Sequence, residues 1–476
     1  MKAILPNEIV KNFLPLVLLS FCAICLFSFS VASDAVGVFD LKRIFICVVV
    51  IANCLLLILS SSLKKQFLFR TKSIEKKTAL LLTVFLFFVI ISNTFFSLYF
   101  VRAQLDFFYL LGLALLTTTI STGTICDRQV IYRYFSAITT VLFLSVMAGH
   151  WVHSSVETVP HIRSILNFAN PRYINQIQIW LIVPALYLVL ISYKRRGLKG
   201  SLLPLLIASL HVAMGLALDA RGFFLVSATS VLIWLFIDKT NRAALVKLLG
   251  LVFIAGMAIK YLLLTPFPFY LFNGYLPDSV YELRTTSSNR ITVWKDLLGM
   301  ASFWGHGGDA YVCNSHPTVA GPHNSLLLYL FNWGVVPALS YTLLVALLFF
   351  KVITTKMPSV RVAGLSVLAG LGYSLITGTL DLPLSQLMAV ISLALFWYKS
   401  APKAPSTSAP PNAIDSASAK VLIILSLLVI TTVSYRVYDR VSHNHYRHLL
   451  VEDEKPRPQF WMENSCPDEE SYLRKF

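Results

Sequence analysis

Three features of the chain predict an all-α polytopic membrane protein, with about 12–13 transmembrane helices and one large loop on the outer side. Hydrophobic residues make up 56% of its 476 residues and charged ones 13%, with a mean hydropathy of +0.70. Soluble domains carry about 25% charge, and single cores stop growing near ~250–300 residues, so no one interior can hide this apolar excess. Apolar runs of spanning length recur along the chain, and Lys and Arg gather in alternate connections between them. A soluble globular enzyme and a disordered or fibrous chain are excluded. The net charge of +17 is no argument for nucleic acid, because it is mostly a topology signal.

A spanning helix needs about 20 mainly apolar residues. Such runs fall near 13–31, 44–60, 78–98, 106–124, 134–151, 177–193, 201–218, 222–237, 245–264, 325–350, 361–379, 382–398 and 419–436. With the N-terminus inside, the inner connections 61–77, 125–133, 194–200, 238–247, 351–361 and 399–420 are all basic. The outer side then receives 152–176, the long loop 265–324 and the tail 437–476. Residues 1–400 form the core, and the Pro/Ser/Ala-rich stretch 401–418 reads as an inner linker to a last span, 419–436. The first run is long enough to span and lacks a clear small-residue cleavage site, so no cleavable signal peptide is expected.

Cys22, Cys25, Cys47, Cys54 and Cys126 lie in or beside apolar runs and read as small buried hydrophobes. Cys313 and Cys466 share the outer side, where a bridge would pin the tail over the long loop. The histidines offer two clusters, His306, Asp309, His316 and His323 in the loop, and His443, His445 and His448 in the tail. Neither spacing matches a recognised metal motif, and no metal is expected.

The chemistry-bearing stretch closes the 265–324 loop. It reads Ser287-Ser288-Asn289-Arg290-Ile291-Thr292-Val293-Trp294, then Trp304-Gly305-His306-Gly307-Gly308-Asp309, and finally His323-Asn324, nine residues and Gly334. His323 stands where a polar loop meets an apolar run. A neutral imidazole there can take a proton from a hydroxyl, or it can simply anchor the helix at the interface. Asn324 can orient either the ring or a sugar, and Gly334, about three helical turns on, permits close helix contact. Arg221 lies just outside a span in Asp219-Ala220-Arg221-Gly222, and Asn170 and Arg172 lie in the Asn-rich stretch before another. Arg284 precedes Arg290 in the loop. Guanidinium grips phosphate oxygens bidentately, which suits a diphosphate at headgroup depth, although an arginine there can also snorkel. Trp294 and Trp304 can stack on a sugar or pack the loop onto the membrane.

His-Asn-x9-Gly, preceded by Ser-x-x-Arg-x-x-x-Trp and a Gly-rich turn in one long outer loop, resembles the O-antigen ligase family and its polymerase relatives. The likeness covers the chain from about 80 to 400; Pro337 and Ala220 depart from the family's pattern. The resemblance implies a GT-C-like fold in the bacterial inner membrane with its active site on the periplasmic side. It implies inverting, metal-independent and cofactor-independent transfer of a preassembled glycan from undecaprenyl diphosphate to a lipid A–core acceptor. His323 would be the general base, and Arg290 and Arg221 would hold the donor diphosphate. Asn324, Asn170, Arg172, Arg284 and Trp294 are the accompanying substrate-binding candidates. A polymerase or a protein oligosaccharyltransferase would use the same donor. A lipid or glycan transporter would instead line a central path with charged residues.

Overall fold

A computed structural model of the chain describes residues 7–31, 37–123, 128–156, 165, 167–276, 290–311, 321–401, 416–442 and 460–461. Among the described residues the regular structure is helical, apart from an isolated antiparallel bridge between Ile165 and Phe168. Helices α1 (Asn7–Val31) and α2 (Val38–Leu59) open the bundle, and α3 (Ser61–Lys72) follows directly, capped by the Ser60 hydroxyl, which accepts from Leu63 N at 3.2 Å. The sequence puts 61–77 in a connection. Most of it is instead an amphipathic helix, because Leu63 and Phe67 give it a buried side and Arg70 Nε donates to Ser121 O at 2.8 Å.

Next come α4 (Lys76–Phe95), α5 (Phe100–Ser121), α6 (Arg128–Val156) and α7 (Arg172–Ala217). As one straight rod, α7 would run about 1.5 Å per residue, more than twice the ~30 Å of a bilayer core. It turns back at Gly197, whose φ of +64° suits a residue without a Cβ. Gln178 Nε2 donates to His211 O at 3.4 Å, so the two halves lie side by side. After α8 (Arg221–Ile237) and α9 (Arg242–Ile259), the long loop contributes α10 (Phe267–Asn273) and α11 (Arg290–Met300). The remaining helices are α12 (Ser325–Trp333), α13 (Val335–Thr354), α14 (Pro358–Ser374), α15 (Pro383–Ser400) and α16 (Ser416–Ser442).

All thirteen apolar runs fall on helices, yet nine helices among the described residues are long and apolar enough to cross a membrane. The difference from the expected 12–13 comes from one folded-back helix that carries two runs and from short or enclosed helices. Two runs share α7, and α8 has 17 residues. The 17 residues of α14 and 18 of α15 are largely enclosed by other helices, so Gly, Ser and Gln replace lipid-facing apolar side chains. The exterior is the reverse: Leu16, Leu19, Phe87, Leu203, Phe236 and Ile254 are each more than half exposed, a surface that only hydrocarbon solvates well. The chain is an all-α, multi-pass membrane protein.

Contacts between helix termini sort the connections into two ends. At the basic end, Lys351 pairs with Glu75, and Lys399 Nζ donates to Tyr132 OH at 2.9 Å. At the opposite end, Asn167 Nδ2 donates to Leu26 O at 2.7 Å, Trp151 Nε1 to Leu263 O at 3.0 Å, and Leu98 N to His306 O at 2.9 Å. The last helix continues past the expected limit at 436 to Ser442. Its basic residues do not end it because they are paired inside the protein. Arg440 Nη2 meets Asp40 Oδ2 at 2.7 Å with both side chains at most 3% exposed, and Arg436 Nη2 donates to Asp309 at 3.2 Å.

The run 325–350, expected as one span, is broken at Gly334, where φ is +87°. A Cβ there would overlap Phe303 O and lie 2.7 Å from the carbonyl carbon of Trp304. The close approach that Gly334 permits is therefore to the 303–305 backbone rather than to another helix. His306 N and Gly307 N donate to Asn332 O at 3.0 and 2.7 Å, so the Gly-rich turn caps the end of α12. Gly334→Ala is expected to destabilise the fold by about 2 kcal/mol or more, from the left-handed backbone and the clash together. The unfolding temperature of detergent-solubilised protein measures this, and an unchanged value would contradict the assignment.

Candidate active site

Three hydrogen bonds hold the start of α12. Trp294 Nε1 donates to Pro322 O at 2.6 Å, fixing the chain as it enters from the long loop. Asn324 is the helix cap, its Oδ1 accepting from Leu327 N at 3.1 Å. The hydroxyls of Ser325 and Ser374 bond at 2.7 Å and tie this helix start to the end of α14. Held between them, His323 has a φ of +52°, a left-handed conformation that is uncommon outside glycine.

The connection leaving α14 meets this helix start. Arg290, first in α11, donates from Nη1 to Ile376 O at 2.7 Å. Its Nε is buried and has no hydrogen-bond partner among the described residues. Two residues beyond Ile376, a Cβ on Gly378 would stand 4.0 Å from His323 Nδ1 and 3.2 Å from Asp381 Oδ2. Imidazole, guanidinium and carboxylate thus border one short stretch of backbone. Arg172, the exposed first residue of α7, completes the group, since its charge bears on both His323 and Arg290.

The surroundings set the protonation states. Burial pushes the His323 imidazole down to about 4, and the nearby Arg290 and Arg172 charges push the same way. Burial also lowers Arg290, with Arg172 adding to the effect, yet a guanidinium stays charged at any working pH. Burial pushes the Asp381 carboxyl up to about 6, with Arg43 opposing the shift and Asp309 reinforcing it. At neutral pH the group therefore holds a neutral imidazole that can accept a proton, an ionised carboxylate and two fixed cations.

The other expected residues take different places. Arg221 starts α8 at the same end, but it is 58% exposed and pairs with Asp219 at 3.4 Å. Its neighbour Gly222 packs against the end of α14 and the residues after it, where a Cβ would meet Ile376 Cδ1 at 2.8 Å and the Tyr373 ring at 3.2 Å. Asn170 Oδ1 accepts from Arg172 N at 2.9 Å, a local turn that opens α7. Arg284, Cys313, Cys466, His316 and the tail histidines lie outside the described residues. His306 Nε2 meets Met300 O at 2.9 Å, and Asp309 is engaged by Arg436 and by Arg102 at 3.5 Å. Among the described residues no three His, Cys, Asp or Glu side chains converge as a metal site.

Asp381 was not among the expected site residues; in the sequence it stands only in the short gap between the apolar runs 361–379 and 382–398. The signal was present in that acidic residue sitting between two apolar runs at the same outer level as His323. Comparison with known proteins finds no matching family model and no matching curated relative.

His323 also links the site to stability. Its native midpoint near 4 lies below its ordinary 6.5, so between these values the unfolded chain binds more protons than the folded one. The His323 contribution is lost as pH drops from 6.5 toward 4, while the raised Asp381 carboxyl acts in the opposite direction, so wild type should lose stability relative to His323→Ala across this range. Denaturation midpoints of both proteins across this range provide the check; parallel curves would contradict the assignment.

Proposed function

We propose that this chain is a lipid-linked glycan transferase of the O-antigen ligase type, with a GT-C-like architecture. The observation that carries the reading is the convergence of a neutral His323 with Arg290 and the charge of Arg172 at one end of the bundle, where Arg290 Nε is buried with no hydrogen-bond partner among the described residues. The basic connections at the opposite end favour the cytoplasm, which supports a site on the periplasmic face of a bacterial inner membrane. Undecaprenyl diphosphate would present its two phosphates at that depth, with the polyprenyl chain among the membrane lipids.

In this scheme the acceptor hydroxyl, on lipid A–core, gives its proton to His323 as its oxygen forms a bond to the anomeric carbon. The bond from that carbon to the diphosphate oxygen breaks in the same displacement, so configuration inverts. The electron pair leaves on the diphosphate, where Arg290 and Arg172 stabilise the growing charge, with Arg221 at the rim to guide the donor in. Asp381 stabilises the imidazolium until its proton is released. A diphosphate between the two arginines also offsets the charges that weaken His323 as a base, so the imidazole becomes basic only once donor is bound. The scheme calls for no metal and no nucleotide sugar.

Transfer from a purified polyprenyl-diphosphate glycan to lipid A–core tests it. His323→Ala should lower the rate by ~10²–10⁴, the range of a lost general base, and Arg290→Gln should raise the donor KM as well. A wild-type rate in His323→Ala would overturn the reading. Glycan extended on the polyprenyl carrier, instead of appearing on lipid A–core, would assign a polymerase.

A further inference from the structure

Behind the connection that carries Asp381 lies a buried guanidinium with a role of its own. Arg43, near the start of α2, is 1% exposed. Its Nη2 donates to the backbone carbonyl of Asp381, its Nη1 to Gln386 Oε1 and, at 3.2 Å, to Tyr109 OH. Gln386 in turn donates from Nε2 to Leu380 O at 2.6 Å and accepts from Tyr109 OH at 2.8 Å. Two consecutive carbonyls of the connection are thus gripped from α2 and α15, with Tyr109 on α5 bonded to both gripping side chains. The same connection supplies the Ile376 carbonyl that seats Arg290 and the Gly378 backbone that abuts His323.

Arg43 is itself braced from the far end of the chain. Its Nε donates to Phe460 O at 2.9 Å, and the Phe460 ring centroid lies 4.7 Å from the Arg43 guanidinium carbon and 3.4 Å from that of Arg436. An aromatic face attracts each cation, so one ring lets two guanidiniums sit close together in a dry interior. Tyr109 packs edge-on against that ring at 4.8 Å.

We propose that Arg43, braced by Phe460, is a positioning residue that sets the 376–381 backbone against His323 and Arg290; this rests on the transfer reading above. A planar fork with fixed donor directions suits the task, because it can hold a carbonyl and an amide oxygen at once. The charged groups facing Asp381 are Arg43 on α2, Asp309 in the Gly-rich turn and Asp106 on α5.

The test compares wild type, Arg43→Gln, Arg43→Lys and His323→Ala in the transfer assay, with rates expressed per folded, monodisperse molecule. Arg43→Gln should lower kcat on the order of 10²-fold, the effect of a small misplacement of reacting groups, with a smaller rise in donor KM because Arg290 is seated on the same connection. The acid limb of the rate profile should move to higher pH, because Asp381 loses the cation that favours its ionised form. Arg43→Lys restores the charge without the fork, so it should bring back the limb but not kcat. If Arg43→Gln does not accumulate, Phe460→Ala removes only the bracing ring and should show a smaller loss of kcat in the same direction. A loss confined to folded yield, with kcat and limb unchanged while His323→Ala is inactive, overturns the positioning role. Full transfer by His323→Ala overturns the underlying reading and this role with it.

Discussion

A guanidinium taken out of water among apolar helices has to be met by acceptors, and at Arg43 that requirement organises one end of the bundle. Residues 43, 109, 381, 386 and 460 are brought together because no single segment offers enough oxygens to satisfy it. The Arg440–Asp40 and Arg436–Asp309 pairs extend the pattern to the last helix. Buried pairs of this kind add little net stability, since desolvation offsets most of their attraction. What they confer is location. A slide of α16 along α2 would leave ionised groups unmatched in a dry interior, so the helix has one acceptable register.

The site in front of this network has a different electrical character. Arg172 acts on Arg290, and both act on His323, in the same direction, resisting additional positive charge there. Such a concentration of field attracts an anion, and it keeps the imidazole neutral in the anion's absence. The buried Arg290 Nε, without a partner among the described residues, adds direction to that field, because an unmet donor is costly wherever water is excluded. The left-handed backbone at His323 is held by the Trp294–Pro322 hydrogen bond on one side and the Asn324 cap on the other.

Apolar periodicity made the helices legible. Each run appears as a helix because the bilayer leaves the backbone no other way to satisfy its hydrogen bonds. What composition could not supply was tertiary pairing. Arg436 and Arg440 looked like the end of a span because their partners, Asp309 and Asp40, lie more than a hundred residues away. Gly334 was legible as a site of close approach, but its partner is a loop backbone, which no helical period encodes. The structure brings the motif residues His323 and Arg290 to one stretch of backbone. Asp381 and Arg43 belong to no motif, and only the fold brings them to the same connection. Arg172 and Arg221 both begin helices at the same end; the charge of Arg172 bears on the imidazole, while Arg221 pairs with Asp219.

The interruption at Gly334 separates two tasks that one long helix would have combined. With 20 residues, α13 reaches about 30 Å and can match the hydrocarbon thickness unaided. The nine-residue α12 is fastened instead to the Gly-rich turn, to Ser374 and to the loop helix bearing Trp294. Thinning or thickening of the surrounding lipid can then be absorbed by tilt of the longer segment, while His323 keeps its neighbours.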